Sequence, residues 1–242
     1  MRHLLSLLLL ITSTTAYAQQ TIYYKVSSGT GFVINNDGHV ITNAHVVREC
    51  KDISILTPAG EENAVLVAED PKQDLAVLKT DYISPTIAPL RWNISDLRVG
   101  DNVIVMGYPG PQGATGKEVF KKTQVKALKG PTGEARWIQL ASVAAHGNSG
   151  GPVLDGSGNV IAVISGMAVT YKADKAGNPS GNPIGQTDIA ITLASLQDFL
   201  RDHAINFYES ASGMLSYPDE VLLDNARHFT VPVRCIQDIQ KR

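Results

Sequence analysis

Short apolar or alternating runs, each bounded by turn residues, dominate the first half of the chain. Six of them lie at 29–34, 39–47, 52–58, 63–69, 75–80 and 102–108. Runs of this length, rich in Val and Ile, are typical of β-strands. Asp37 and Gly38, between the first two runs, predict a hairpin because this pair accepts positive φ at low cost. The first half therefore predicts a set of antiparallel strands.

A second set of strands is predicted further along, and a change of period follows it. The second set lies at 123–130, 135–141, 151–155, 159–169 and 187–193. Because helical periodicity is nearly absent before residue 192, the pattern favours antiparallel barrels or a sandwich. The strands before about residue 90 and those after about residue 115 could each close one barrel. One apolar helix face follows, made of Leu193, Leu196, Phe199 and Leu200. A second helix is predicted to begin at Pro218.

The N-terminal segment has the layout of a signal peptide. A basic start at Arg2 precedes an apolar run at 4–11, and Ala16 and Ala18 form a small-x-small cleavage signature. A membrane anchor is the alternative, but the run is shorter than the roughly 20 residues that span a bilayer. We expect cleavage after Ala18, export to the periplasm or the medium, and no stable membrane anchor.

The composition restricts the classes of partner. The chain is 43% hydrophobic and 18% charged, with a formal net charge of −2, so no nucleic-acid partner is expected. The lysine-rich stretch 117–130 is the local exception and could meet a phosphate or an anionic surface. Its alternation fits a strand with a solvated face better. No cofactor and no metal site are expected.

Two cysteines, Cys50 and Cys235, both lie in the part predicted to be exported. An oxidising compartment allows them to pair, so a disulfide that ties the C-terminal tail to the first half of the chain is predicted. Two buried free thiols are the alternative. Cysteines so far apart cannot form a CxxC metal or redox motif.

A glycine-rich turn at 147–152 carries the strongest chemical signal, Ser149. A hydroxyl in such a turn is exposed, and the neighbouring N–H groups of Gly147, Asn148 and Ser149 can converge on one point. An acyl-transfer nucleophile needs both properties, since developing negative charge must meet donors already in place. An ordinary turn or a phosphate cradle would have the same composition.

A serine nucleophile needs a base and a carboxylate that orients this base. His45 is the candidate base because only small residues precede it, whereas His146 is too close to Ser149 in sequence and suits the rim of a substrate pocket. Asp74 precedes an apolar strand and is the candidate carboxylate. Asp70, followed by proline, reads as a solvated turn. A capping or turn role for Asp74 is the alternative.

Three motifs together resemble the trypsin-like serine peptidases, in particular the HtrA or Deg branch. They are TNAHVV at 42–47, DLAVLK at 74–79 and GNSGGPV at 147–153, and the similarity extends over about residues 28–200. The resemblance implies an all-β, chymotrypsin-like fold of two antiparallel six-stranded barrels with a C-terminal helical tail. It also implies a triad of His45, Asp74 and Ser149 in the cleft between the barrels.

The resemblance further implies a substrate pocket. Its base would lie near Ser142, Val143 and Ala144, with Ser165, Gly166 and Met167 opposite and His146 at the rim. None of these residues is acidic, so a small or medium aliphatic side chain is expected before the cut. The residue that matches Ser165 in related enzymes hydrogen-bonds the aspartate of the triad.

The chain also departs from the family pattern. Asn148 replaces the aspartate that new N-termini pair with in trypsin-type zymogens, so that activation is not expected. About 40 residues follow the predicted helix, too few for the PDZ domain usual in this branch. The Thr-Asp pair common in that branch is also missing before the turn.

These observations predict a division of the chain and a function. We expect a signal peptide at 1–18 and a protease domain at 19–203, with barrel one at 21–95, barrel two at 100–192 and a helix at 193–203. A C-terminal extension then covers 204–242. The predicted function is a serine endopeptidase acting on proteins or peptides, of unpredicted oligomeric state. An inactive peptide-binding module is the alternative, and an esterase is disfavoured because the histidine comes first.

Overall fold

The structure is a computed structural model that describes residues 23–110, 117–141, 146–212 and 216–239. The predicted signal peptide lies outside these ranges. The described strands are β1 Tyr23–Val33, β2 His39–Thr42, β3 Asp52–Thr57, β4 Gly60–Asp70, β5 Leu75–Thr80, β6 Leu90–Arg91, β7 Asn102–Gly107, β8 Val119–Ala127, β9 Trp137–Ala141, β10 Pro152–Leu154, β11 Val160–Ala173, β12 Pro179–Thr192, β13 Glu209–Ser210 and β14 Thr230–Ile239. The described helices are α1 Ala44–Val47, α2 Leu193–Asp202 and α3 Asp219–Phe229.

Two closed antiparallel barrels confirm the predicted all-β, chymotrypsin-like fold. Barrel one has the strand order β1-β14-β3-β4-β5-β2. Barrel two has the order β10-β7-β8-β9-β12-β11 and is closed by the pairing of β10 with β11. The short strands β6 and β13 lie outside this ring and pair in parallel.

Barrel one contains a strand that the hydrophobic pattern did not predict. The strand β14 lies between β1 and β3, with Phe32 opposite Thr230 and Ile53 opposite Cys235. The extension at 204–242 therefore supplies part of a barrel that the sequence placed within 21–95. The predicted disulfide is confirmed, and it joins Cys50 to Cys235 with a Cα–Cα distance of 5.4 Å.

The apolar core crosses from one barrel to the other. One continuous buried cluster includes Phe32 and Leu78 of barrel one, Met106 and Leu154 of barrel two, and Phe199 of α2. Burial of apolar surface is the main favourable contribution to folding, and here it also joins the two barrels. The two barrels therefore share one buried core where they meet.

Both predicted helices are present. The α2 helix buries the apolar face expected from the sequence, and the side chain of Thr192 caps it by accepting the N–H of Ser195. The α3 helix begins after Pro218, as predicted. The strand predicted at 39–47 ends at Thr42, however, and the short helix α1 follows. No helix in the described ranges is long and apolar enough to cross a membrane.

Candidate active site

His45 lies in α1, just after β2, and pairs with Asp74. Its Nδ1 is 2.9 Å from each carboxylate oxygen of Asp74, and its main-chain N–H donates to Oδ1 at 3.0 Å. An ionised carboxylate can only accept, so Nδ1 carries the proton and Nε2 is left as an acceptor in the neutral ring. The His45 side chain is 40% exposed. Its ring therefore remains accessible to a substrate.

Asp74 is fixed by its backbone and by two neighbours. It adopts a φ of 59°, an uncommon conformation that aspartate tolerates better than most residues. The Ser165 hydroxyl donates to Oδ2 at 2.6 Å, and the Asn43 side-chain amide donates to the Asp74 main-chain oxygen at 2.8 Å. Burial raises the pKa of Asp74, but the hydrogen bonds from His45 and Ser165 outweigh it and hold this pKa below its usual value. The carboxylate is thus ionised at neutral pH.

The rival carboxylate, Asp70, has the turn role expected of it. Its Oδ1 accepts the main-chain N–H groups of Lys72 and Gln73 at 2.8 and 3.1 Å. These bonds and a further one from the Gln73 side chain lower the pKa of Asp70 despite the opposing effect of partial burial. Asp70 therefore shapes the turn before β5.

Ser149 lies in the turn that precedes β10, and Ser165 connects it to the pair above. The Ser149 hydroxyl donates to the main-chain oxygen of Ser165 at 3.2 Å. The same Ser165 donates its own hydroxyl to Asp74. Ser165 therefore contacts both Ser149 and the Asp74 carboxylate, and the Ser149 hydroxyl donates to the Ser165 oxygen.

Close main-chain contacts bring the Ser149 turn against the segment that carries His45. Gly150 has a φ of 85°, and a methyl group built there would collide with Thr42 Oγ1 and lie 3.0 Å from the Asn43 nitrogen. A methyl group on Gly29 would lie 2.6 Å from Val46 and 3.1 Å from the Ser149 oxygen. Only glycine permits this approach. The nucleophile candidate and the base candidate therefore lie at the same junction.

The turn before Ser149 presents main-chain donors. Gly147 has a φ of 102°, and its oxygen accepts the Thr30 hydroxyl at 2.6 Å. The oxygen of Asn148 accepts the Gly151 N–H at 2.9 Å, and its side chain is buried. Among the described residues, no main-chain oxygen accepts the N–H of Gly147 or Ser149.

A hydroxyl bridge behind this turn was missed at the sequence level. Thr30 Oγ1 donates to the Gly147 oxygen and also accepts the Tyr108 N–H at 2.9 Å. The Tyr108 hydroxyl donates to the Thr230 oxygen at 3.0 Å, and burial raises the pKa of Tyr108 to about 12, so it stays protonated. The first residue of β14 is therefore linked to the turn. Thr30 has no sequence signal because it occupies an ordinary strand position.

The structure describes four of the residues predicted to form the substrate pocket: His146, Ser165, Gly166 and Met167. Gly166 and Met167 follow Ser165 on β11, and His146 is exposed, with its oxygen accepting the Gly110 N–H at 2.6 Å. Ser142, Val143 and Ala144 lie outside the described residues. An acidic residue not considered at the sequence level, Asp188, is fully buried on β12 directly opposite Met167.

The chemistry of these side chains is that of acid–base and nucleophilic catalysis. An oriented imidazole, a hydroxyl in a tight turn and free main-chain donors are the parts that acyl transfer uses. Within the described ranges, no group of three or more His, Cys, Asp or Glu side chains could hold a metal ion.

Comparison with known proteins identifies the class. The family model of the trypsin-like peptidase domain matches residues 29–163, so the chain belongs to that family. The family predicted from the sequence motifs is thereby confirmed.

Named relatives and a solved structure narrow the class further. The chain is 33% identical over 163 residues to a probable periplasmic DegP-like serine endoprotease of Brucella suis, covering 66% of this chain and 30% of the relative. It is 32% identical over 159 residues to the mitochondrial serine protease HTRA2 of Bos taurus, covering 62% and 35%. The chain spans about a third of the length of these relatives.

The active form of the Rv3671c protease of M. tuberculosis superposes with a TM-score of 0.58 at 25% identity, covering 78% of each chain. Together these matches show a trypsin-like peptidase domain that is similar to HtrA-type serine proteases.

Proposed function

We propose that the chain is a serine endopeptidase that cleaves peptide bonds through an acyl-enzyme. Ser149 attacks the scissile carbonyl, and His45 takes the serine proton and later gives it to the leaving amine. Asp74 holds the imidazole in the correct tautomer and stabilises its protonated form. The N–H groups of Gly147 and Ser149 stabilise the oxyanion, within a turn whose shape depends on Asn148.

The observation that carries this proposal is the His45–Asp74–Ser165 network at the junction of the barrels. Nδ1 of His45 lies 2.9 Å from Asp74, and Ser165 holds the other side of the same carboxylate at 2.6 Å. A carboxylate with donors on both sides has little freedom to rotate, so it fixes the imidazole. An inactive binding module has no need for such an arrangement.

The Ser149 hydroxyl must turn before it reacts. It donates to the Ser165 oxygen at 3.2 Å and not to His45. A substrate N–H that binds this same oxygen would compete for it and release the hydroxyl toward Nε2 of His45. Rotation between staggered side-chain conformers is a small step in energy. Substrate binding thus supports activation of the nucleophile.

The side chain before the cut is proposed to be small or medium and aliphatic. This follows from the uncharged residues Ser165, Gly166 and Met167 along β11, with His146 at the rim. The alternative is a preference for Arg or Lys, which would require a carboxylate at the pocket. Asp188, buried on β12 opposite Met167, is the carboxylate that this alternative would use. A peptide series that varies only the residue before the cut separates the two, and a preference for Arg or Lys refutes the aliphatic assignment.

Export is proposed as well, with the signal peptide cleaved after Ala18. The disulfide between Cys50 and Cys235 supports an oxidising compartment. N-terminal sequencing of the protein from fractionated cells should give Gln19 as the first residue, in the periplasm or the medium. An unprocessed chain in the cytoplasm would contradict this part of the proposal.

Digestion of casein and of a peptide library by the purified protein tests the activity. Ser149→Ala should abolish digestion, and Asp74→Asn should lower kcat by about 10⁴-fold because the imidazole then takes the wrong tautomer. A fluorophosphonate should label Ser149, as peptide mapping would reveal.

Ser95→Ala, at an exposed serine in a turn between β6 and β7, is the matched control and should keep full activity. The proposal fails if Ser149→Ala digests as fast as the unchanged protein, or if the label attaches elsewhere.

A further inference from the structure

The strands β11 and β12 continue beyond barrel two as a two-stranded ribbon, defined here as residues 166–173 and 179–186. They pair from Met167 opposite Asp188 to Thr170 opposite Gly185, and after a register shift Lys172 and Ala173 pair with Ser180 and Pro179. Nearly all ribbon residues are exposed, in contrast to the buried start of β11. The ribbon therefore contributes little to the hydrophobic core, and core packing does not explain its presence.

One edge of the ribbon is open. The strand β12 pairs with one edge of β11, and β10 pairs with the other edge only as far as Val163. From Ser165 onward, no strand of the described chain pairs with this second edge. Unpaired main-chain donors and acceptors along a strand are a template for an added strand.

The open edge begins at the candidate nucleophile. The Ser165 oxygen, the first group on this edge, accepts the Ser149 hydroxyl at 3.2 Å. A peptide presented to Ser149 must therefore pass this group, and its upstream residues can continue along the ribbon. The occupant of this edge that fits its position is the substrate itself.

An apolar stripe follows the same strand. Met167, Val169 and Tyr171 alternate along β11, and the latter two are each 42% exposed. Alternate residues of a strand share one face. Exposed apolar side chains in a row mark an interaction surface, here beside an edge with free hydrogen-bonding groups.

We propose that the ribbon is an extended substrate-binding site for apolar residues well upstream of the cleaved bond. This inference rests on the proposed peptidase function. The ligand is an unfolded, extended segment that adds to β11 as an antiparallel strand. Its fifth and seventh residues upstream of the cut contact Val169 and Tyr171.

The register follows from the two-residue period of a strand. If the residue before the cut lies opposite Ser165, the fifth lies opposite Val169 and the seventh opposite Tyr171. Residues directly opposite in an antiparallel pair have side chains on the same face and within contact distance. A segment of seven residues spans about 20 Å at roughly 3.3 Å per residue, within the length of the ribbon.

The ribbon tip is ordered, which lowers the entropic cost of binding. Asp174 accepts the main-chain N–H groups of Ala176 and Asn178 at 2.8 and 2.9 Å, and its oxygen accepts the Gly177 N–H at 3.0 Å. A preformed strand loses less conformational freedom on binding than a mobile loop.

Kinetics with two fluorogenic peptides test the proposal. Both share the three residues before the cut, and one is extended by four residues with Leu at the fifth and seventh positions. We expect kcat/KM to be roughly tenfold higher for the extended peptide, from two apolar cross-strand pairs and added main-chain bonds. The double variant Val169→Lys/Tyr171→Lys should reduce this ratio to near one.

Thr170→Lys is the matched control, since it lies between the two positions on the opposite face, and it should keep the ratio. The proposal is overturned if the ratio is near one in the unchanged protein, or if Thr170→Lys lowers it as far as the double variant. It is also overturned if sedimentation shows a dimer that the double variant dissociates, since the ribbon would then bind a second copy.

A binding measurement separates this proposal from the peptidase function. Fluorescence anisotropy of the labelled extended peptide with Ser149→Ala protein needs no catalysis. The ribbon site is supported if the peptide binds Ser149→Ala protein but does not bind Ser149→Ala protein that also carries Val169→Lys/Tyr171→Lys. This holds even if no peptide is cleaved. Cleavage with no dependence on the ribbon refutes the ribbon site alone.

Discussion

Loss of the disulfide between Cys50 and Cys235 should destabilise the protein strongly. The bond closes a loop of 185 residues, because β14 returns to barrel one from the far end of the fold. In the chain-entropy account, closing a loop of that length removes about 5 kcal/mol of denatured-state freedom at 25 °C. We expect Cys50→Ala/Cys235→Ala to lower the free energy of unfolding by about 3–5 kcal/mol.

Urea unfolding followed by circular dichroism measures this difference. The single variant Cys50→Ala should lose nearly as much as the double variant, because either change removes the link. The unchanged protein in strong reductant should match them. A loss below about 1 kcal/mol would refute the reasoning, since it would mean that the denatured chain already holds β14 near β1.

Three further predictions concern packing, positioning and pH. Gly150→Ala should lose more than about 2 kcal/mol of stability in urea unfolding, because a methyl group there meets Thr42 and the positive φ is strained; wild-type stability would contradict it. Thr30→Val should lower kcat by about tenfold with little change in KM, since it frees the Gly147 oxygen and disturbs the oxyanion donors; an unchanged kcat would refute this link. Burial and the nearby Lys79 lower the pKa of His39 below 6.5, so its contribution to stability is present above pH 6.5 and lost as pH falls through the folded-state pKa. His39→Gln should weaken the acid dependence of the thermal midpoint between pH 7 and 5, and an identical slope would contradict the assignment.

The fold class could be predicted because strand period and turn residues are local properties. Strands of barrel two such as β7, β9 and β10 coincide with short apolar or alternating runs, and the α2 helix shows an apolar face in its sequence. The strand β14 was not predicted, although Val231, Val233 and Cys235 alternate and are all buried. Pro232 interrupts this run, and proline ordinarily argues against an inner strand. The sequence of one segment does not show which distant segment it pairs with.

In the candidate site too, residues with a local sequence signal could be predicted, and residues that act through distant contacts could not. His45, Asp74 and Ser149 could be proposed because their residue types and local motifs point to acyl transfer. Thr30 and Tyr108 could not, since their roles depend on a hydrogen-bonded bridge between segments far apart in sequence. The positive φ of Asp74 was equally hidden, because aspartate is common in ordinary turns.

The place of β14 in barrel one sets an order of events during synthesis. A chain still attached to the ribosome, with residues 230–239 not yet emerged, has a gap between β1 and β3 and lacks the Thr230 oxygen that anchors Tyr108. Barrels built from such distant pairings close late in folding. The candidate site is therefore completed only after β14 has been synthesised and has paired with β1 and β3.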